Sequence, residues 1–228
     1  MERHLEVART ARYWVIGEDV SNPAEVWFVL HGYKQLARRF LRRFEPLDDG
    51  TRLLVAPEGL SRFYADESPG RHGRGAVVGA TWMTREDREH EIADYVRYLD
   101  ALADRVLGAS GGAGAPSFAR PRVTVLGFSQ GVATAARWTT LGRARPDRLV
   151  LWGDFLPTDL DLAAARDAWR TTEVILARGR GDPAFADSSA AEQEELRIRG
   201  AGLAARRVAF DGGHDIHQPT LQALAAEA

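Results

Sequence analysis

The sequence predicts an α/β protein, a three-layer sandwich of helices packed around a mostly parallel sheet. Three observations predict it. Short, almost unbroken apolar runs recur along the chain, helix-like stretches alternate with them, and glycine-rich polar turns follow several of the runs. Apolar residues at successive positions mean strands covered on both faces, the condition of strands inside a parallel sheet.

Taken in order, residues 4–16 read as two short strands of mixed polarity, an antiparallel hairpin at a sheet edge. The runs 26–30 (VWFVL), 53–56 (LLVA), 123–126 (VTVL), 149–152 (LVLW) and 174–177 (VILA) read as buried strands, with one more at 205–210. Residues 86–107 place Ile92, Ala93, Val96, Leu99, Leu102, Ala103 and Val106 on one stripe at helical spacing. Shorter helices are expected at 130–141, 184–199 and 216–226, joined to the strands by right-handed crossovers. Residues 108–116, rich in Gly, Ala and Ser, read as a surface loop. Residues 57–83 show no period and carry several glycines, and a long loop directly after a strand reads as functional. No internal repeat interrupts a single domain over residues 1–228.

Composition narrows the function classes. With no cysteine, disulfides, thiolate nucleophiles and cysteine-bound zinc are excluded, and a reducing cytoplasm is the expected location. A net charge of -2, with no basic stripe carrying interleaved aromatics, argues against nucleic acid as a partner. Charged residues interrupt 1–17, and no apolar run approaches the ~20 residues of a membrane span. A soluble protein is expected.

Gly127-Phe128-Ser129-Gln130-Gly131 fits the G-x-S-x-G turn that lifts a serine between a strand and a helix. The strand run at 123–126 and the helix-compatible run after Gly131 supply the context this motif requires. A serine so placed needs a base and an acid, in chain order Ser, Asp or Glu, His. Asp182 stands at the tip of a glycine-loosened loop after 174–177, and His214 follows a Gly212-Gly213 turn after the last strand. Asp154, also just past a strand, is the rival acid. Ligands and catalytic groups of open α/β sheets gather at the carboxyl ends of the strands, so all these residues fall on one rim. The expected oxyanion donors are the backbone N–H groups of Gln130 and Tyr33, the latter in the turn after 26–30. His31 in that turn reads as structural. His214 and His217 lack a third ligand, so no metal is expected.

These motifs, with Leu30-His31-Gly32 and the 179–183 loop, resemble the phospholipase/carboxylesterase family of α/β-hydrolases, which includes acyl-protein thioesterases and small bacterial carboxylesterases. The resemblance implies the α/β-hydrolase fold without a large cap domain. It also implies cofactor-free hydrolysis of a small-molecule carboxylic ester or thioester, with Ser129 as nucleophile, Asp182 as orienting acid and His214 as base. The chain departs from the thioesterase branch at Tyr33-Lys34-Gln35 and across 57–83. Competing readings are a peptidase, a dienelactone-type hydrolase or an acyltransferase with the same three residues, or a non-catalytic binding protein on this fold. Activity is expected to rise through roughly pH 6 to 7 as the histidine loses its proton. Phe63, Tyr64, Trp82, Trp152, Phe155 and Leu156, with Tyr33, are candidates for a substrate pocket. Arg62, Arg71 and Arg74 read as a solvated basic loop. A homodimer stays open as the assembly.

Overall fold

The computed structural model describes residues 1–65, 73, 75–110, 120–186 and 188–227. In chain order they form β1 (Tyr13–Ile16), β2 (Glu25–Leu30), α1 (Ala37–Leu41), β3 (Arg52–Pro57), β4 (Ser61–Tyr64), β5 (Val78–Thr81) and α2 (Arg88–Ser110). There follow β6 (Arg122–Phe128), α3 (Gln130–Leu141), β7 (Arg148–Trp152), α4 (Leu162–Ala168), β8 (Glu173–Gly179), α5 (Ser188–Gly200), β9 (Arg206–Phe210) and α6 (Gln218–Ala226). Seven strands make one sheet in the order β1-β3-β2-β6-β7-β8-β9, and β4 and β5 pair separately. All pairs in the large sheet are parallel except β1 with β3, so every strand from β2 to β9 in that sheet ends on one edge.

The alternation of side chains along each strand divides the apolar residues between two cores. Val26, Phe28 and Leu30 face one side, against Tyr95 and Leu99 of α2, Val132 and Trp138 of α3, and Ile198 of α5. Trp27 and Val29 face the other, against Phe40 of α1, Phe44, and Leu221 and Leu224 of α6. Both faces are therefore covered, which is why these strands read as continuous apolar runs. The central strands and α3 lie where the sequence places them.

Elsewhere the chain differs. Of the hairpin expected in 4–16, only Tyr13–Ile16 is a strand, because β3 offers one free edge and pairs there with β1 alone. Residues 57–83 are not all loop: β4 and β5 form an antiparallel hairpin whose four-residue strands are too short and mixed in polarity to show a period. α1 and α4 were not expected either. Ala184, the expected start of a helix, lies instead in a short 3-10 turn, Pro183–Phe185, with α5 beginning at Ser188. α2 runs on to Ser110, and the remainder of the expected 108–116 loop lies outside the described residues. Among the described residues no helix is long and apolar enough to cross a membrane.

Candidate active site

Ser129 sits between β6 and α3 with φ 53° and ψ -122°, a region that non-glycine residues almost never adopt. The neighbouring glycines make the turn feasible. A Cβ on Gly127 would run into the carbonyl of Gly131, and one on Gly131 would run into the carbonyl of Leu30. The Ser129 N–H donates to the Trp152 carbonyl at 2.9 Å, which ties the turn to the end of β7.

Asp182 and His214 reach the same rim from β8 and β9. Their loops are laced together by the Arg180 and Gly181 N–H groups donating to the carbonyls of Phe210 and Gly212, both at 2.9 Å. His214 Nδ1 lies 2.7 Å from Asp182 Oδ2. Asp182 is buried, and its other oxygen accepts from the Ala184 N–H at 2.9 Å. A carboxylate so held fixes the imidazole with Nδ1–H donating and Nε2 as the free acceptor. The ring packs against Phe128, the residue before Ser129, with centroids 5.0 Å apart. Beneath it Gly153 takes φ +78°, and a Cβ there would sit 3.5 Å from His214 Cε1. Among the described residues, the Ser129 hydroxyl is not hydrogen-bonded to the ring. Such contacts are commonly open without substrate and close by side-chain rotation.

The rival acid, Asp154, is half-buried in the loop after β7, and its carboxylate accepts the Phe155 N–H at 2.8 Å. Burial pushes its pKa above the ordinary carboxylate value, while His214 nearby pulls it back. It faces the same imidazole, but the bond to the ring belongs to Asp182.

The turn after β2 abuts the serine. A Cβ on Gly32 would lie 3.1 Å from Ser129 Cβ, so the backbone at Gly32 and Tyr33 passes alongside Ser129. His31 is fully buried, with Nδ1 2.8 Å from the Gly32 carbonyl and Nε2 accepting the Gly59 N–H at 3.0 Å. Desolvation lowers its pKa to about 4, so it stays neutral and shapes the turn. The side chain of Gln130 does work that its backbone position did not suggest. Its Nε2 donates to Thr81 Oγ1 (2.8 Å) and the Met83 carbonyl (2.9 Å), and its Oε1 accepts the Trp82 N–H at 3.2 Å. That fastens the chain leaving β5 to the start of α3. Glu58 is a further residue the sequence did not flag. Buried, it takes Arg12 at 2.6 Å, Arg62 at 3.4 Å and the Ala37 N–H at 3.2 Å. Arg62 is thereby engaged by protein; Arg71 and Arg74 lie outside the described residues.

The pocket candidates separate into two groups. Trp82, Trp152 and Leu156 are almost completely buried. Trp82 donates to the His31 carbonyl, Trp152 to the Asp215 carbonyl, and the Leu156 N–H to Glu194, so all three are held in the interior. A position at a strand end does not say which side of the sheet a side chain enters. Tyr33, Phe63, Tyr64 and Phe155 retain exposure. Tyr33 stacks on Phe63 with centroids 5.4 Å apart. On the other flank Arg178 lies over Phe155 and Phe185 at 4.7 and 4.6 Å, anchored by an ion pair to buried Glu194.

No protein-family model matches the sequence, and no curated protein matches it either. Solved structures do. Acyl-protein thioesterase 2 from Zea mays superposes with a TM-score of 0.66 at 15% identity, over 96% of this chain and 97% of that one. A carboxylesterase from Mesorhizobium loti gives 0.64 at 18% identity, covering 95% and 93%. A phospholipase/carboxylesterase from Dyadobacter fermentans gives 0.62 at 15%, covering 97% of each. These neighbours are of the kind the sequence motifs resemble, and the likeness extends over nearly the whole chain. The chain has the α/β-hydrolase fold.

Proposed function

We propose that this chain is a serine hydrolase that cleaves carboxylic ester or thioester bonds through an acyl-enzyme. The observation that carries the reading is the 2.7 Å contact between His214 Nδ1 and buried Asp182, made beside a serine in a strained strand-to-helix turn. The esterases and thioesterases that share the fold add support.

On this reading Ser129 Oγ rotates onto His214 Nε2 and attacks the carbonyl carbon while its proton passes to that nitrogen. The negative charge goes to the carbonyl oxygen, which accepts from the backbone N–H groups of Gln130 and Tyr33, each worth ~3 kcal/mol in the transition state. Collapse breaks the bond to the alcohol or thiol, which leaves with the proton from Nε2. Water then attacks the acyl-enzyme, giving its proton to His214, and departure of Ser129 as the protonated hydroxyl releases the acid. Asp182 keeps the ring in the productive tautomer and stabilises its charged form. No cofactor takes part.

A fluorophosphonate probe tests this. It should label the protein at Ser129, and Ser129→Ala should abolish labelling and lower ester turnover on the order of 10⁴- to 10⁶-fold with the fold intact. An unlabelled wild-type protein, or a Ser129→Ala variant that keeps most of its esterase activity, ends the proposal.

A further inference from the structure

Residues before β1 have no regular secondary structure, yet they lie along α2 as a strap. Arg97 of α2 pairs with Glu6 at 2.7 Å, and the Tyr98 hydroxyl donates to the Arg12 carbonyl at 3.1 Å. Between strap and helix is a cavity of about 790 Å³, reaching inward to Leu60 and Trp82. At one end of it His4 of the strap stacks on His90 of α2, with ring centroids 3.9 Å apart and planes inclined by 23°. Asp87 Oδ1 serves both rings, 2.7 Å from His90 Nδ1 and 3.2 Å from His4 Nε2. Asp87 has φ 48°, a left-handed conformation that costs a non-glycine residue roughly 1 kcal/mol, and it keeps this carboxylate beside the rings.

One ligand-capable atom from each of the three residues lies within 4.8 Å of the others. Two imidazole nitrogens and one carboxylate oxygen form a donor set that suits zinc, copper or nickel and not magnesium or calcium, which favour all-oxygen ligands. The residues are exposed, so a hydrated cation can reach them, exchange part of its water for the three side chains and keep water at the remaining coordination positions. The positive end of the α2 dipole opposes a cation here, but Asp87 just before the helix, Glu89 and Glu91 in its first turn, and Glu2, 3.6 Å from His4 Nε2, offset it. We propose that His4, Asp87 and His90 form a binding site for a divalent transition metal of the zinc class, which staples the strap to α2 over the cavity. The site shares no residue with Ser129, Asp182 or His214, so its failure leaves the hydrolase reading standing.

The test is titration calorimetry of the untagged full chain with zinc chloride, with magnesium chloride as the control. One equivalent of zinc should bind saturably, and magnesium should not bind. His4→Ala and His90→Ala should each weaken zinc binding on the order of 10- to 100-fold or more, as even outer-shell losses do. Zinc should also slow proteolytic cleavage within residues 1–12 of the wild type and not of His90→Ala. Absence of saturable one-to-one binding, wild-type zinc affinity in either alanine variant, or equal binding of magnesium overturns the proposal.

Discussion

The rim of the sheet has two halves built by different means. On the β6–β9 side, residues are positioned by backbone geometry: the strained serine turn, the glycines that let main chains touch, and the two loops laced by amide–carbonyl bonds. On the β2–β5 side, the turn after β2 and the β4–β5 hairpin are joined by side chains that cross between segments distant in sequence. His31 holds Gly59, Gln130 holds Thr81, Trp82 and Met83, and Glu58 holds Arg12 and Arg62. On the proposed reading the first half carries the chemistry and the second walls it. The two should therefore fail differently when perturbed.

The largest effect is expected on the first side. Asp182→Asn keeps the shape but lets the imidazole adopt the wrong tautomer, and should cost on the order of 10³- to 10⁴-fold in kcat. Asp154→Asn should cost less than about tenfold, because Asp154 bonds a backbone amide rather than the ring. Comparable losses in the two variants would show that the carboxylates share the role, and reversed losses would move the acid to Asp154.

Next comes a dependence on pH at the wall. His31 is buried and neutral with a folded pKa near 4, against 6.5 for an unperturbed histidine. Its contribution to stability is complete above pH 6.5 and is lost as pH falls toward 4, where folding forbids a proton that the unfolded chain accepts. The loss amounts to about 3 kcal/mol. Urea unfolding at pH 7, 5.5 and 4.5, with the ring followed by NMR, reads it directly. A His31 resonance titrating near 6.5 in the folded protein would contradict it.

The smallest effect distinguishes wall from chemistry within one residue. Gln130→Ala removes the side-chain bonds to the β5 exit and leaves the backbone N–H in place. Stability should fall by about 1–3 kcal/mol and KM should rise more than kcat falls. An unchanged KM with a large loss of kcat would mean that the side chain serves the reacting atoms.

The same contrast explains how much of the molecule is legible in its sequence. Backbone constraints leave local signatures: 123–126 followed by Gly127 and Gly131 reads as strand, turn and helix, and both strand and helix lie there. Cross-links between distant side chains leave none. Nothing around Glu58 announces Arg12, and nothing around His4 announces His90. The aromatic candidates illustrate a further limit. Trp82 and Tyr33 both follow strands, but one turns into the core beneath His31 while the other stacks on Phe63 in the open. Burial was decided by the fold, not by the segment.

The lacing of the β8 and β9 loops also bears on motion. On the proposed reading, acid and base ride on two loops laced to each other, while the nucleophile belongs to the β6–α3 turn tied to β7. A small shift between β7 and β8 would preserve the Asp182–His214 contact and change the gap between His214 and Ser129. Breathing of the sheet would thus act as a single-coordinate gate on proton transfer, leaving the ring's orientation untouched.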